Sequence, residues 1–82
     1  MQNYPNPFNP VTKISFAIPK KAKVNLSVYD ILGRQIATLA DDYKEPGRYE
    51  YTFDASSYAS GVYVYRLTTD NFVVSKKMLY LK

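Results

Sequence analysis

The sequence predicts an all-β fold, an antiparallel two-sheet sandwich of six or seven strands, with a small closed barrel as the alternative. Three observations carry this prediction. Apolar residues recur with a period of two in segment after segment, turn-forming Pro, Gly, Asn and Asp punctuate the chain at short intervals, and no stretch long enough for a stable helix keeps helical periodicity.

The opening Asn3-Tyr4-Pro5-Asn6-Pro7-Phe8-Asn9-Pro10 sets three prolines within six residues. Each fixes its own φ and pushes the preceding residue into extended conformations, so residues 1–10 read as a polyproline-like entry strap to a sandwich over residues 11–82. Tyr4 and Phe8 are its large apolar groups and are expected to pin it over one end of the core. The spacing is not the PxxP repeat that proline-binding grooves prefer.

Ile14, Phe16 and Ile18 alternate with Lys13, Ser15 and Ala17, and Val24, Leu26 and Val28 with Lys23, Asn25, Ser27 and Tyr29, as in two half-buried strands. Pro19, Lys20 and Lys21 make the polar turn between them. Asp30 and Gly33 stand at the first and fourth positions of a type I turn that folds the second strand back into a third over residues 34–39, with Leu32 covering the end of the core. Residues 40–45 are polar and acidic and read as a loop, after which Pro46 and Gly47 take the central positions of a type II turn.

Tyr49, Tyr51 and Phe53 then alternate with Arg48, Glu50, Thr52 and Asp54, giving a strand with one aromatic face and one polar face. Residues 54–61 are small and polar, a crossover loop or a single helical turn. Val62-Tyr63-Val64-Tyr65-Arg66-Leu67 is almost continuously apolar, the pattern of a central strand covered on both faces. Asp70 and Asn71, which both tolerate positive φ, signal a tight hairpin into the last strand over residues 72–81, whose alternation Lys76 and Lys77 interrupt.

A chain of 82 residues, 46% hydrophobic and 22% charged, fits one domain. At that length folding buries roughly 60–65% of the unfolded chain's surface, so packing must supply the stability, and 9 Tyr and 4 Phe provide the bulk. There is no Cys and no His, which removes thiol nucleophiles, Ser-His dyads, zinc sites and disulfide staples. What remains for catalysis is Asp, Glu, Lys, Tyr and Ser scattered through turns, so no enzyme activity and no cofactor are expected. The net charge of +4 suits an acidic partner or an anionic surface and falls short of the dense basic run of a nucleic-acid arm. No apolar run reaches the roughly 18 residues of a membrane span, and an export leader would lie on a longer precursor.

The remaining motifs each admit two readings. Asp41 and Asp42 could open a calcium loop, but the alternating oxygen ligands and distal Glu are missing, which leaves solvated carboxylates. Tyr29, Tyr49, Tyr51, Tyr63 and Tyr65 either form an exposed platform for sugars or bases, or fill the core and pair across strands, the reading their number favours. Lys76, Lys77 and Lys82 on the final strand either protect a sheet edge from aggregation or mark recognition by a partner. Asn25-Leu26-Ser27 matches a glycosylation acceptor and, lying in a strand, is treated as chance.

Tyr4-Pro5-Asn6-Pro7-Phe8-Asn9-Pro10, Val28-Tyr29-Asp30 with Gly33-Arg34, Gly47-x-Tyr49, Ser60-Gly61-Val62-Tyr63 with Tyr65-Arg66-Leu67, and Lys76-Lys77-Met78 form an ordered set. Each is weak alone, but in this order and spacing the set strongly resembles the C-terminal sorting domain of the type IX secretion system of Bacteroidetes-type bacteria. The middle of the chain also looks like the immunoglobulin-like domain of flagellar hook-capping proteins. The resemblance implies an immunoglobulin-like β-sandwich and a non-catalytic address tag at the C-terminus of a passenger protein. Its implied partners are the outer-membrane translocon, a shuttle protein and a cell-surface sortase, and the implied destination is the surface or medium of a Gram-negative bacterium, reached through the periplasm. The matching recognition positions are Gly61, Val62, Tyr63, Tyr65, Arg66, Lys76, Lys77, Met78, Leu79 and Lys82. Pro46, Tyr58 and Asp70 depart from the family's usual residues, in loops and core fit. An ancillary carbohydrate-binding or structural module of a secreted protein is the alternative function.

Overall fold

A computed structural model describes residues 2–4, 7 and 10–81. Seven strands run β1 (Gln2–Tyr4), β2 (Val11–Ile18), β3 (Ala22–Tyr29), β4 (Gln35–Lys44), β5 (Gly47–Asp54), β6 (Gly61–Thr69) and β7 (Val73–Tyr80). They form two antiparallel sheets, β1-β2-β5 and β4-β3-β6-β7. Ile14, Phe16 and Phe53 from the first sheet join Val24, Leu26, Val28, Tyr65, Leu67 and Met78 from the second in one buried cluster, consistent with a β-sandwich. The alternation read in β2 is the alternation of burial observed there, because period two sends every second side chain to one face, and β3 keeps it except at Ser27, which is buried between Leu26 and Val28.

Several elements differ from the sequence reading. Within the expected strap, Gln2–Tyr4 is a strand paired with β2, Gln2 opposite Ser15 and Tyr4 opposite Lys13. The Phe8 anchor and the Tyr4 ring lie outside the described residues. Residues 40–44 are not a loop but the second half of β4, opposite Ala22–Leu26. A bulge breaks the period there: Leu26 faces Ala40 while Ser27 faces Thr38, so Leu39 is the extra residue. An edge strand with a solvated face needs no apolar alternation, and Lys23–Asp41 and Lys44–Asp42 ion pairs at 3.8 and 3.5 Å dress it.

Gly47 has a φ of +151°, not the value near +80° of a type II turn, and is already paired with Ile18, so Glu45 and Pro46 alone carry the chain between sheets. Leu32 does not cover the core; it is 74% exposed at the tip of the β3–β4 hairpin. The β6–β7 hairpin forms where expected, closed by the Thr69 N–H donating to the Phe72 carbonyl at 2.8 Å, with no positive φ at Asp70 or Asn71. Residues 55–60 are a crossover loop, in which the Tyr58 N–H donates to the Ala55 carbonyl at 2.9 Å.

Strand β6 is interior to its sheet but is covered on one face only. Tyr63, Tyr65 and Leu67 are buried, whereas Val62 and Val64 are half-buried and Arg66 is exposed. The tyrosines follow the core reading where they point inward: Tyr63 and Tyr65 are buried, and Tyr49 and Tyr51 pack against the core, stacked on Phe16 with centroids 5.8 and 5.9 Å away. Tyr29 is the exception, on the opposite face of the four-stranded sheet.

Candidate functional site

The strands β6 and β7 carry the sequence-predicted positions, and their register divides these positions between two faces. Gly61 faces Tyr80, Tyr63 faces Met78, and Tyr65 faces Lys76 on the core side. Val62 faces Leu79, Val64 faces Lys77, and Arg66 faces Ser75 on the outer side. The outer rows continue into β3, with Tyr29 beside Val64 and Ser27 beside Arg66. Tyr63, Tyr65 and Met78 are therefore core residues whose side chains do not reach the surface, while Val62, Arg66, Lys77 and Leu79 share one face. Lys76 is exposed although it lies on the core-side parity, and Lys82 lies outside the described residues.

Two glycine–tyrosine motifs set the strands that deliver these residues. In Gly61-Val62-Tyr63 the Tyr63 hydroxyl donates back to the carbonyl of Ala59, and in Gly47-Arg48-Tyr49 the Tyr49 hydroxyl donates to the carbonyl of Glu45. Each bond spans four residues and ties the start of a strand to the loop before it, as a tyrosine corner does. Gly61 holds a φ of +149°, a conformation a side chain resists, which is why glycine stands where the crossover loop turns into β6. Burial pushes the Tyr63 phenol above its ordinary value of 10.0, keeping the hydroxyl a donor.

The β3–β4 hairpin walls the lower end of the outer face. The Asp30 carboxylate accepts the N–H of Leu32 at 3.0 Å, the N–H of Arg34 at 2.9 Å and the Arg34 Nε–H at 2.7 Å. The Arg34 N–H is the foremost of the bonds that hold its carboxyl below the usual value of 3.8. Gly33, with a φ of +83°, completes the turn, its N–H donating to the Asp30 carbonyl at 3.0 Å, so that Ile31 and Leu32 project from a braced loop.

Charge is distributed unevenly over this scaffold. Neither β6 nor β7 contains an Asp or Glu, yet together they carry Arg66, Lys76 and Lys77. The ion pairs among the described residues join Lys13 to Glu50, Lys21 to Glu45, Lys23 to Asp41, Arg34 to Asp30 and Lys44 to Asp42, so none uses a cation of β6 or β7. Arg66 lies instead over the Tyr29 ring, 4.8 Å from its centroid, and its Nε donates to the Ser75 hydroxyl at 3.3 Å. Among the described residues β7 is the last strand of its sheet, with β6 as its neighbour.

The model of the family described as "Secretion system C-terminal sorting domain" matches residues 2–80. The chain belongs to this family. Its role is therefore that of a C-terminal secretion signal, working with type IX secretion machinery toward export. No curated protein and no solved structure matches the chain. Among the described residues no helix is long and apolar enough to cross a membrane, and no group of His, Cys, Asp or Glu is placed to hold a metal ion.

The sequence reading located this region by motif but could not divide it by face. It also left out Tyr29 and Val64 as partners of Arg66 and Lys77. The signal for both was available: counting in twos from buried Met78 puts Lys77 and Leu79 on the opposite face, and the same count from Leu67 puts Arg66, Val64 and Val62 there.

Proposed function

We propose that the chain directs an N-terminal passenger through the type IX outer-membrane translocon to the cell surface or medium, without chemistry of its own. In this reading an immunoglobulin-like sandwich over residues 11–82, entered through the strap at residues 1–10, displays β7 and the outer face of β6. The translocon, a shuttle protein and a surface sortase are the partners. The observation that carries it is the edge position of an acid-free strand pair bearing Arg66, Lys76 and Lys77. Over residues 73–77 such an edge offers main-chain pairing to an added strand, and cations that no carboxylate of the described residues pairs steer acidic surfaces toward it.

The ten predicted positions take two parts. Val62, Arg66, Lys76, Lys77, Leu79 and Lys82 meet the partner directly. Gly61, Tyr63, Tyr65 and Met78 hold the strands in register beneath them. The carbohydrate-binding alternative needs an exposed aromatic platform, and the inward setting of Tyr49, Tyr51, Tyr63 and Tyr65 speaks against it.

Deleting residues 78–82 tests the proposal. A truncated domain that keeps its β spectrum but strands its passenger in the periplasm supports recognition through this end of β7. Undiminished export of a folded truncation overturns it.

A further inference from the structure

We infer that the tip of the β3–β4 hairpin, Ile31 and Leu32, inserts into an anionic lipid surface, with Arg66 and Lys77 meeting the headgroup phosphates behind it. The inference goes beyond the sorting role and stands without it. Ile31 and Leu32 are the most exposed large apolar side chains among the described residues, at 76% and 74%. They form a projection: Ile31 borders a hollow on either side, one of about 600 Å³ toward Tyr58 and Ser60, the other of about 430 Å³ over Val62 and Val64. A lipid surface closes around such a projection, whereas a protein partner must bring a cleft of matching shape.

The tip is braced and carries no unpaired charge. The Asp30 carboxylate accepts from the Leu32 and Arg34 N–H groups and from the Arg34 guanidinium. The Asp30 N–H donates to the Arg34 carbonyl at 2.9 Å, and the Gly33 N–H to the Asp30 carbonyl at 3.0 Å. Four backbone donors and both charges are thus partnered within the hairpin, which lowers the cost of taking its tip out of water.

The charge behind the tip has the sign an anionic surface requires. Lys77 lies in the row Tyr29–Val64–Lys77, and Arg66, in the next row of that face, leans its guanidinium over the Tyr29 ring, 4.8 Å from the centroid. No carboxylate among the described residues forms an ion pair with either cation. The acids of the four-stranded sheet gather toward its other end, Asp41 across from Asn25 and Asp42 across from Val24, with Glu45 and Asp70 in the turns there. On the three-stranded sheet Glu50 lies across from Ser15, and Asp54, level with Val11, accepts the Ser56 N–H at 2.9 Å.

The depth fits as well. Ile31 is two residues beyond Tyr29, at most about 7 Å of chain. A tip sunk about 5 Å past the acyl boundary therefore leaves the Tyr29 row, with both cations beside it, in a headgroup layer about 5–7 Å thick. Tyr29 supplies the kind of ring that such interfaces favour.

The test mixes the folded 82-residue chain with vesicles of phosphatidylglycerol or of phosphatidylcholine and measures co-sedimentation. The expected result is binding to phosphatidylglycerol that weakens as salt rises and is at least about tenfold weaker on phosphatidylcholine. Arg66→Gln and Lys77→Gln should each weaken it about fivefold, and Ile31→Ser combined with Leu32→Ser at least about tenfold. All four side chains are exposed, so the fold tolerates these changes. The chain has no Trp, so Leu32→Trp reports insertion: brominated acyl chains should quench its fluorescence and leave that of Lys20→Trp, in the β2–β3 turn, unchanged.

No co-sedimentation, equal binding to the two lipids, undiminished binding by the double serine variant, or equal quenching at both positions would overturn the inference. Release from the vesicles by inorganic phosphate, beyond that by chloride at the same ionic strength, would assign the cations to free phosphate and overturn it too. Self-association without vesicles that the double serine variant abolishes would assign the tip to a second copy of the chain, with the same result.

Discussion

Lys76 stands directly opposite Tyr65 in the β6–β7 register, on the core side of the sheet, yet the tyrosine is 1% exposed and the lysine lies in solvent. On the same strand and the same parity Met78 and Tyr80 are buried, so Lys76 is the inward-parity position of β7 that stays in solvent. A charge at an inward-parity position of an edge strand obstructs pairing with a second copy, because the ammonium would be buried between the added strands. Lys76→Val should therefore turn a monomer into a concentration-dependent associating species by sedimentation velocity, whereas Lys20→Val, in the β2–β3 turn, should not.

The tyrosine corner at the start of β6 predicts a paired cost. Tyr63→Phe leaves the ring in place and removes the bond to the Ala59 carbonyl, which should lower unfolding free energy by about 1 kcal/mol in urea. Gly61→Ala meets no atom within 4 Å, so its cost is conformational, about 1–3 kcal/mol. Both losses should appear without a change in the m-value.

Stability should fall at both ends of the pH scale, for opposite reasons. The carboxyls of Asp30, held chiefly by the Arg34 N–H, and Asp54, held by the Ser56 N–H, sit below 3.8 in the folded chain. A lowered folded value means the unfolded state binds protons first, so this stabilisation is complete above pH 3.8 and is lost as pH falls through the folded values. Lys44 is raised above 10.5, first by its hydrogen bond with Tyr51, so its contribution is present below 10.5 and lost as pH rises through the folded value. Urea midpoints should be flat between about pH 5 and about 9 and decline outside. Asp30→Asn should flatten the acid limb.

Core and tip leucines should separate cleanly. Leu26 is fully buried in the core cluster, and its replacement by Ala should cost about 2–5 kcal/mol through lost burial and a residual cavity. Leu32, 74% exposed, should change stability by less than about 0.5 kcal/mol on the same replacement. Thermal melts of the two variants check this directly.

The fold was legible where one face of a strand is buried and the other solvated, as in β2, β3 and β5, because burial then writes a period of two into the residues. It was obscured where that condition fails. The second half of β4 is an edge with a bulge at Leu39, so its acidic residues resembled a loop. The apolar run of β6 suggested cover on two faces, but Val62 and Val64 are the floor of an open groove. The short strand β1 was hidden by the prolines that follow it. The proposed recognition positions were picked out by motif, of which Gly61 answers to a local need, its positive φ. Their division by face depends on register, which appears only once β6 lies between β3 and β7.

If this chain is a sufficient export signal, a passenger fused to it must leave the cell. The decisive measurement places a signal peptide and a fluorescent passenger ahead of residues 1–82 and locates the passenger in a host with the type IX machinery and in one lacking its translocon. Fluorescence at the surface or in the medium of the intact host alone is the predicted result. Periplasmic retention in both hosts, with the domain folded, would contradict it.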